Sequence, residues 1–173
     1  GSEMCIRDRS EGGYEMRGFQ QGIGTAILAQ KDLTEQGVYY PLVSLRLKSD
    51  RLESISVLSA ASLIPVDNGN YNWRILGGPT TSGGAWVSAG ANSSVEYNIS
   101  GTAISGGRTL AQGFITSTTQ SKSSIELTKE DLFRFQLEKN SFIGSGYEIS
   151  LAISCDTATT NAFGSLDWEE ISR

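Results

Sequence analysis

The sequence predicts an all-β fold, an antiparallel β-sandwich or jelly roll of about eight strands. Three observations predict it. Apolar residues alternate with polar ones in short blocks bounded by turn residues. Twenty glycines stand against 3 prolines, and serine and threonine together outnumber the charged residues, a composition of turns and small or β-branched side chains. Helical periodicity is nearly absent, so a parallel α/β fold lacks its helices, and no repeat of fixed spacing points to a solenoid, propeller or β-helix.

From the N-terminus, "YEMRGFQ" and "GTAILAQK" are the first strand candidates. In "GVYYPLVSLRLKS", Val43, Leu45 and Leu47 point one way and Ser44, Arg46 and Lys48 the other, a half-buried strand whose start Pro41 places at an edge or a turn. "LESISVLSAASLIPV" sets Ile55 and Val57 on one face with Ser59 and ends at Pro65. "DNGN" supplies hairpin turn chemistry at Asn68 and Gly69, and "YNWRILGG" then places Tyr71, Trp73 and Ile75 on one face.

"GGPTTSGG" reads as a loop, "AWVSAG" as a short strand, and "SSVEYNIS" as a strand with Val95, Tyr97 and Ile99 in register. After the turn at Gly106 and Gly107, Leu110 in "RTLAQGFITST" is followed by a glycine that marks a bulge. One short helical turn is expected near residues 128–133, where Thr128 caps and Asp131 completes a capping box. Alternation resumes in "LFRFQLEK" with Phe133, Phe135 and Leu137, continues in "GYEISLAISC", and "FGSLDWEEIS" closes the chain.

The first nine residues, "GSEMCIRDR", share no hydrophobic period with the rest of the chain and have no apolar core of a secretory signal. Their reverse translation, GGC TCG GAG ATG TGT ATA AGA GAC AG, resembles the adapter of transposase-based sequencing libraries. The expected organisation is therefore an artefactual or disordered terminus over 1–9, N-terminal strands or an extension over 10–36, and a β-sandwich domain over 37–173 of a metagenomic gene truncated upstream. Setting Cys5 aside leaves Cys155 alone, with no disulfide or multi-cysteine metal site, and in step with Ile149, Leu151 and Ile153 as a small core residue.

The net charge is −5 and no basic patch appears, which argues against a nucleic-acid partner. No apolar run reaches the roughly 20 residues that a membrane crossing needs. The chain contains no histidine, which removes the commonest general base and metal ligand and every Ser-His or Cys-His pair. A carboxylate glycosidase remains conceivable at "LDWEE", with Asp167, Glu169 and Glu170 beside Trp168. Asp167 and Glu169 would flank an inward Trp168, so the expectation is a solvated face, no catalytic residues and no enzyme.

The glycine-rich "GGPTTSGG" and "SAGANSS" lack the lysine and helix of a phosphate loop and read as turns. "DNGN" misses calcium-loop spacing, so no metal ligand and no cofactor are assigned. The sequons at Asn92 and Asn98 are chance matches in an Asn- and Ser-rich segment. Trp73 and Trp168 lie in alternating strands and are expected in the core. Trp86, flanked by loops of small residues, is the aromatic expected to meet a glycan or a protein partner.

Taken together, "PLVSLRLKSDRLESISVLSAASLIP", "NYNWRILGGPTTSGGAWVSAGANSSVEYNIS", "LFRFQLEKNSF" and "SLDWEE" resemble, in that order, the C-terminal β domain of virion structural proteins of tailed bacteriophages from marine samples. The similarity covers about Gly37 to Arg173. It implies a non-enzymatic structural protein of the virion, assembled in the host cytoplasm, with a head-decoration, neck or tail-fibre place. Its implied partners are other virion proteins and copies of itself. A carbohydrate-binding module or receptor-binding tip, contacting host surface glycan through Trp86, is the alternative. A hydroxyl-rich surface suits either form of contact.

Overall fold

The computed structural model describes residues 20–24, 31–118, 125–127, 136–137 and 147–171. Every strand pairing among them is antiparallel, and they contain no helix. The strands are β1 (Gln20–Gly24), β2 (Lys31–Leu33), β3 (Tyr40–Leu47), β4 (Ile55–Pro65), β5 (Gly69–Gly77), β6 (Thr80–Ser82), β7 (Val87–Ser88), β8 (Val95–Asn98), β9 (Ala103–Ser105), β10 (Arg108–Ser117), β11 (Ile125–Leu127), β12 (Gln136–Leu137), β13 (Ile149–Cys155) and β14 (Thr160–Ile171). The expected β-sandwich is present, cut into more and shorter strands than the blocks suggested. The helical turn expected near 128–133 lies outside the described residues.

The first sheet runs β1-β14-β4-β11, with β2 also on β14 and β12 also on β4; the second runs β10-β5-β13-β3-β8-β7. A two-stranded ribbon, β6-β9, shares no strand pairing with either. Because β1 and β2 are hydrogen-bonded to β14, the sandwich extends upstream of Gly37. Sequence neighbours repeatedly fall in opposite sheets, as β3 and β4, β4 and β5, and β13 and β14 do. "DNGN" is accordingly an arch between sheets and not a hairpin. Its Asp67 carboxylate accepts the Asn161 backbone N–H at 2.8 Å, and the Tyr71 hydroxyl donates to the Asp67 carbonyl at 2.7 Å. Burial is the main reason the Tyr71 phenol is pushed up to about 12.

Alternation builds the core as expected. Val43, Leu45 and Leu47 of β3, Tyr71, Trp73 and Ile75 of β5, and Ile149, Leu151, Ile153 and Cys155 of β13 meet Leu58, Leu63, Leu166 and Trp168 of the other sheet. Cys155 is a free, buried thiol in that core. Three register shifts leave Leu42, Ser59 and Leu110 as extra residues and reset which face the following side chains take. In β4 the buried positions are Ser56 and Leu58 before the shift and Ala61 and Leu63 after it.

Two glycines mark close approaches. A Cβ on Gly164 would lie 2.8 Å from Leu42 and 3.2 Å from Leu151, side chains of the facing sheet. A Cβ on Gly113 would lie 2.9 Å from the Trp73 indole. The bulge in β10 therefore falls at Leu110, three residues before that glycine, and Gly113 makes room for Trp73.

Candidate functional site

Trp86 lies between the β6-β9 ribbon and β7, at the β8 side of the second sheet, and is half-buried. Arg46 of β3 and Glu96 of β8 are cross-strand partners, joined Nε to Oε2 at 2.6 Å. That pair aims the guanidinium at Trp86, 3.9 Å from the ring centroid. One face of the indole is thus covered by a cation, a contact worth about 0.5–1 kcal/mol at an exposed site. The part of Trp86 left accessible lies beside the Arg46–Glu96 pair.

On the same outer face, Ser44 points away from the core as alternation requires, yet it is fully buried. The ribbon covers it. Ser44 shares hydrogen bonds with Thr81 at 2.8 Å and Ser150 at 2.7 Å, and Glu148 Oε1 accepts the Thr81 backbone N–H at 3.0 Å. Burial is the main influence raising the Glu148 carboxyl above its ordinary range. Three hydroxyls and a carboxylate bonded to backbone hold the ribbon on the sheet. None of the three hydroxyls has an imidazole to activate it, since the chain has none.

The three carboxylates of "LDWEE" do not share one face. Trp168 and Glu170 face inward and are fully buried, whereas Asp167 and Glu169 lie on the opposite, outer face of β14. Trp168 is therefore a core residue, as Trp73 is, and offers no ring to a sugar. Glu170 accepts from the Ser94 backbone N–H at 2.7 Å, from Trp168 Nε1 at 2.8 Å and from the Ser93 hydroxyl. Ser94 in turn donates to Ser54 at 2.9 Å. The cluster joins the last strand of one sheet to the loop before β8 of the other.

That loop carries the Asn92 sequon, and the Asn98 sequon lies in β8. Asn98 is buried, donates to the Gly83 carbonyl at 3.1 Å and accepts from the Ser100 N–H at 2.9 Å, so its amide is committed to the fold. At the other end of the second sheet, Asn70 donates to Asp156 through its backbone N–H at 2.9 Å and its amide at 2.8 Å. Those bonds, the backbone one first, hold the Asp156 carboxyl below the ordinary carboxylate range. Among the described residues no group of three or more Cys, Asp or Glu is placed to hold a metal ion.

Sequence reasoning missed Phe114. It is 80% exposed, in the middle of β10, the strand that ends the second sheet. Val38 at 40%, Ile64 at 46% and Val87 at 44% are the other exposed large apolar side chains among the described residues. Counting by twos from Leu110 turns Phe114 inward. The register shift at Leu110 reverses that, and counting back from the buried Ile115 would have found it. No family model matches the chain, and no curated protein matches it.

Proposed function

We propose that this chain is a non-enzymatic structural component of a bacteriophage particle, in a head-decoration, neck or tail-fibre place, acting by packing against other particle proteins and against copies of itself. The ordered resemblance of four sequence blocks to virion β domains motivates the reading. The observation that carries it is the division of polar chemistry. Glu170 of the C-terminal motif is buried and bonded to the fold on the inner face of β14, away from Asp167 and Glu169 on the outer face, while an aromatic ring stands exposed on a terminal strand. A surface of that kind joins molecules; it does not gather reactive groups around a substrate.

The test is recovery of the whole gene with its neighbours. Adjacent portal, capsid or tail genes are expected, and a setting among metabolic or secretion genes would overturn the reading.

A second reading, glycan contact at Trp86, is favoured by one arrangement: an indole beside the Arg46–Glu96 pair, which offers stacking and planar hydrogen bonding together. A glycan array decides it. Binding that Trp86→Ala abolishes supports a receptor-binding tip, and no binding, or binding indifferent to that substitution, removes it.

A further inference from the structure

The geometry points to a specific self-contact: β10 pairs antiparallel with β10 of a second copy, across a two-fold axis at Phe114. The inference rests on the reading that this protein packs against copies of itself and says where.

Among the described residues β10 is paired on one side alone, by β5, so the backbone donors and acceptors of its other edge meet no described strand. Exposed edges are commonly guarded by charge, proline or a bulge. Here the bulge sits near the start, at Leu110, and the pairing with β5 is regular from Ala111 to Ser117. Thr109 to Ser121 contains no charged residue and no proline.

These features select a second copy as the occupant. A two-fold axis sets each residue against its mirror position, so a charge at the centre would oppose itself; this edge carries none. Phe114 is the middle residue of the regular stretch Ala111–Ser117 and the most exposed large apolar side chain among the described residues. In the pair, Phe114 opposes Phe114, Gly113 opposes Ile115, and Ala111 opposes Ser117. Directly opposed residues bring their Cβ atoms to about 4.5–5.5 Å, close enough for the two rings to cover each other on the outer face. A foreign strand would need no such centring.

The other apolar sites fit less well. Val87 belongs to a strand of two residues, and Ile64 lies on β4, which is paired on both sides. One strand edge and one ring pair make an interface near or below about 1,200 Å², so the dimer is weak in isolation and gains from multivalency in an array.

The experiment is analytical ultracentrifugation of the full chain from about 10 μM to about 1 mM, the range of weak association. Wild type is expected to shift from monomer toward dimer with concentration. Phe114→Glu and Phe114→Lys, each alone, are expected to weaken association tenfold or more, and their equimolar mixture to restore it, because Glu then faces Lys. Phe114 is largely exposed, so both variants are expected to melt within a few degrees of wild type, which keeps misfolding from imitating the result. Wild type monomeric throughout, single variants that dimerise like wild type, or a mixture no better than its parts would each overturn the pairing. Virion gene neighbours with a monomeric protein would remove this contact alone; a dimer encoded among metabolic genes would remove the particle reading alone.

Discussion

Glu170→Gln is the substitution most informative about what holds the two sheets together. The side chain is fully buried, and its described hydrogen-bond donors, Ser93, Ser94 and Trp168, are all neutral. Oε2 serves the Ser93 hydroxyl and Trp168 Nε1, and Oε1 serves the Ser94 N–H at 2.7 Å. A glutamine of the same shape can keep its oxygen where two donors meet, but its NH₂ then faces the Ser94 N–H, donor against donor. One desolvated, unmet N–H costs about 1–3 kcal/mol. The two retained bonds lose their ionic strengthening, roughly half their worth.

Relief from burying a charge works in the opposite direction. With three converging donors the losses exceed it, for a net destabilisation of about 2–4 kcal/mol. In urea, with a slope of about 2 kcal/mol/M, the midpoint falls by about 1–2 M at constant slope. Glu53→Gln, on an exposed turn, should leave the midpoint unchanged. A Glu170→Gln midpoint equal to or above wild type would refute the reasoning, because charge burial would then outweigh the three bonds.

Gly113→Ala places a methyl 2.9 Å from the Trp73 indole and should cost about 1–3 kcal/mol, with a changed near-ultraviolet tryptophan spectrum; an unaltered spectrum and stability would show the ring free to move. Arg46→Ala uncovers Trp86 and should raise iodide quenching of its fluorescence while changing stability by less than about 1 kcal/mol. Glu148→Gln tests a sign. Burial raises the folded-state pKa of Glu148 above its ordinary 4.5, so the carboxylate costs stability above the folded pKa and the cost vanishes as pH falls through 4.5. The glutamine keeps an acceptor for the Thr81 N–H, so its melting temperature should exceed wild type at pH 7, with the gap closing toward pH 4; a lower melting temperature at pH 7 would contradict the assignment.

Strands were legible wherever one face is buried, because alternation records burial directly. Val43, Leu45 and Leu47, then Tyr71, Trp73 and Ile75, then Ile149 to Cys155, all lie where their period puts them. Bulges were not legible at their positions. An extra residue at Leu42, Ser59 or Leu110 reverses the pattern without leaving a compositional trace, which is why Phe114 went unseen. Sheet membership was hidden as well, since turn chemistry at Asp67–Asn70 reports a reversal and is silent about which strand the chain rejoins. Trp86 is less buried than Trp73 and Trp168, as the small residues around it suggest, but Arg46 comes to it from a strand about forty residues earlier, beyond any local pattern.

The serine-rich composition bears on partners in a way that the fold divides, since some hydroxyls stay exposed, as Thr80, Ser82, Ser88 and Thr116 do, and others are drawn inside. Read from the sequence, it suggests a skin of small hydroxyls ready for contact. In the fold, Ser44, Ser54, Ser93, Ser94 and Ser150 are buried and bonded to one another, to Thr81 or to Glu170. Hydroxyls spent on seating a ribbon and a loop are closed to any other molecule, and each would leave an orphan if pulled outward. The self-pairing proposed above draws instead on an edge strand whose outer donors and acceptors meet no described strand, and on the ring of Phe114 at its centre. In such a pairing, register and the match of directly opposed side chains together select the partner, and a second copy related by a two-fold axis would supply both.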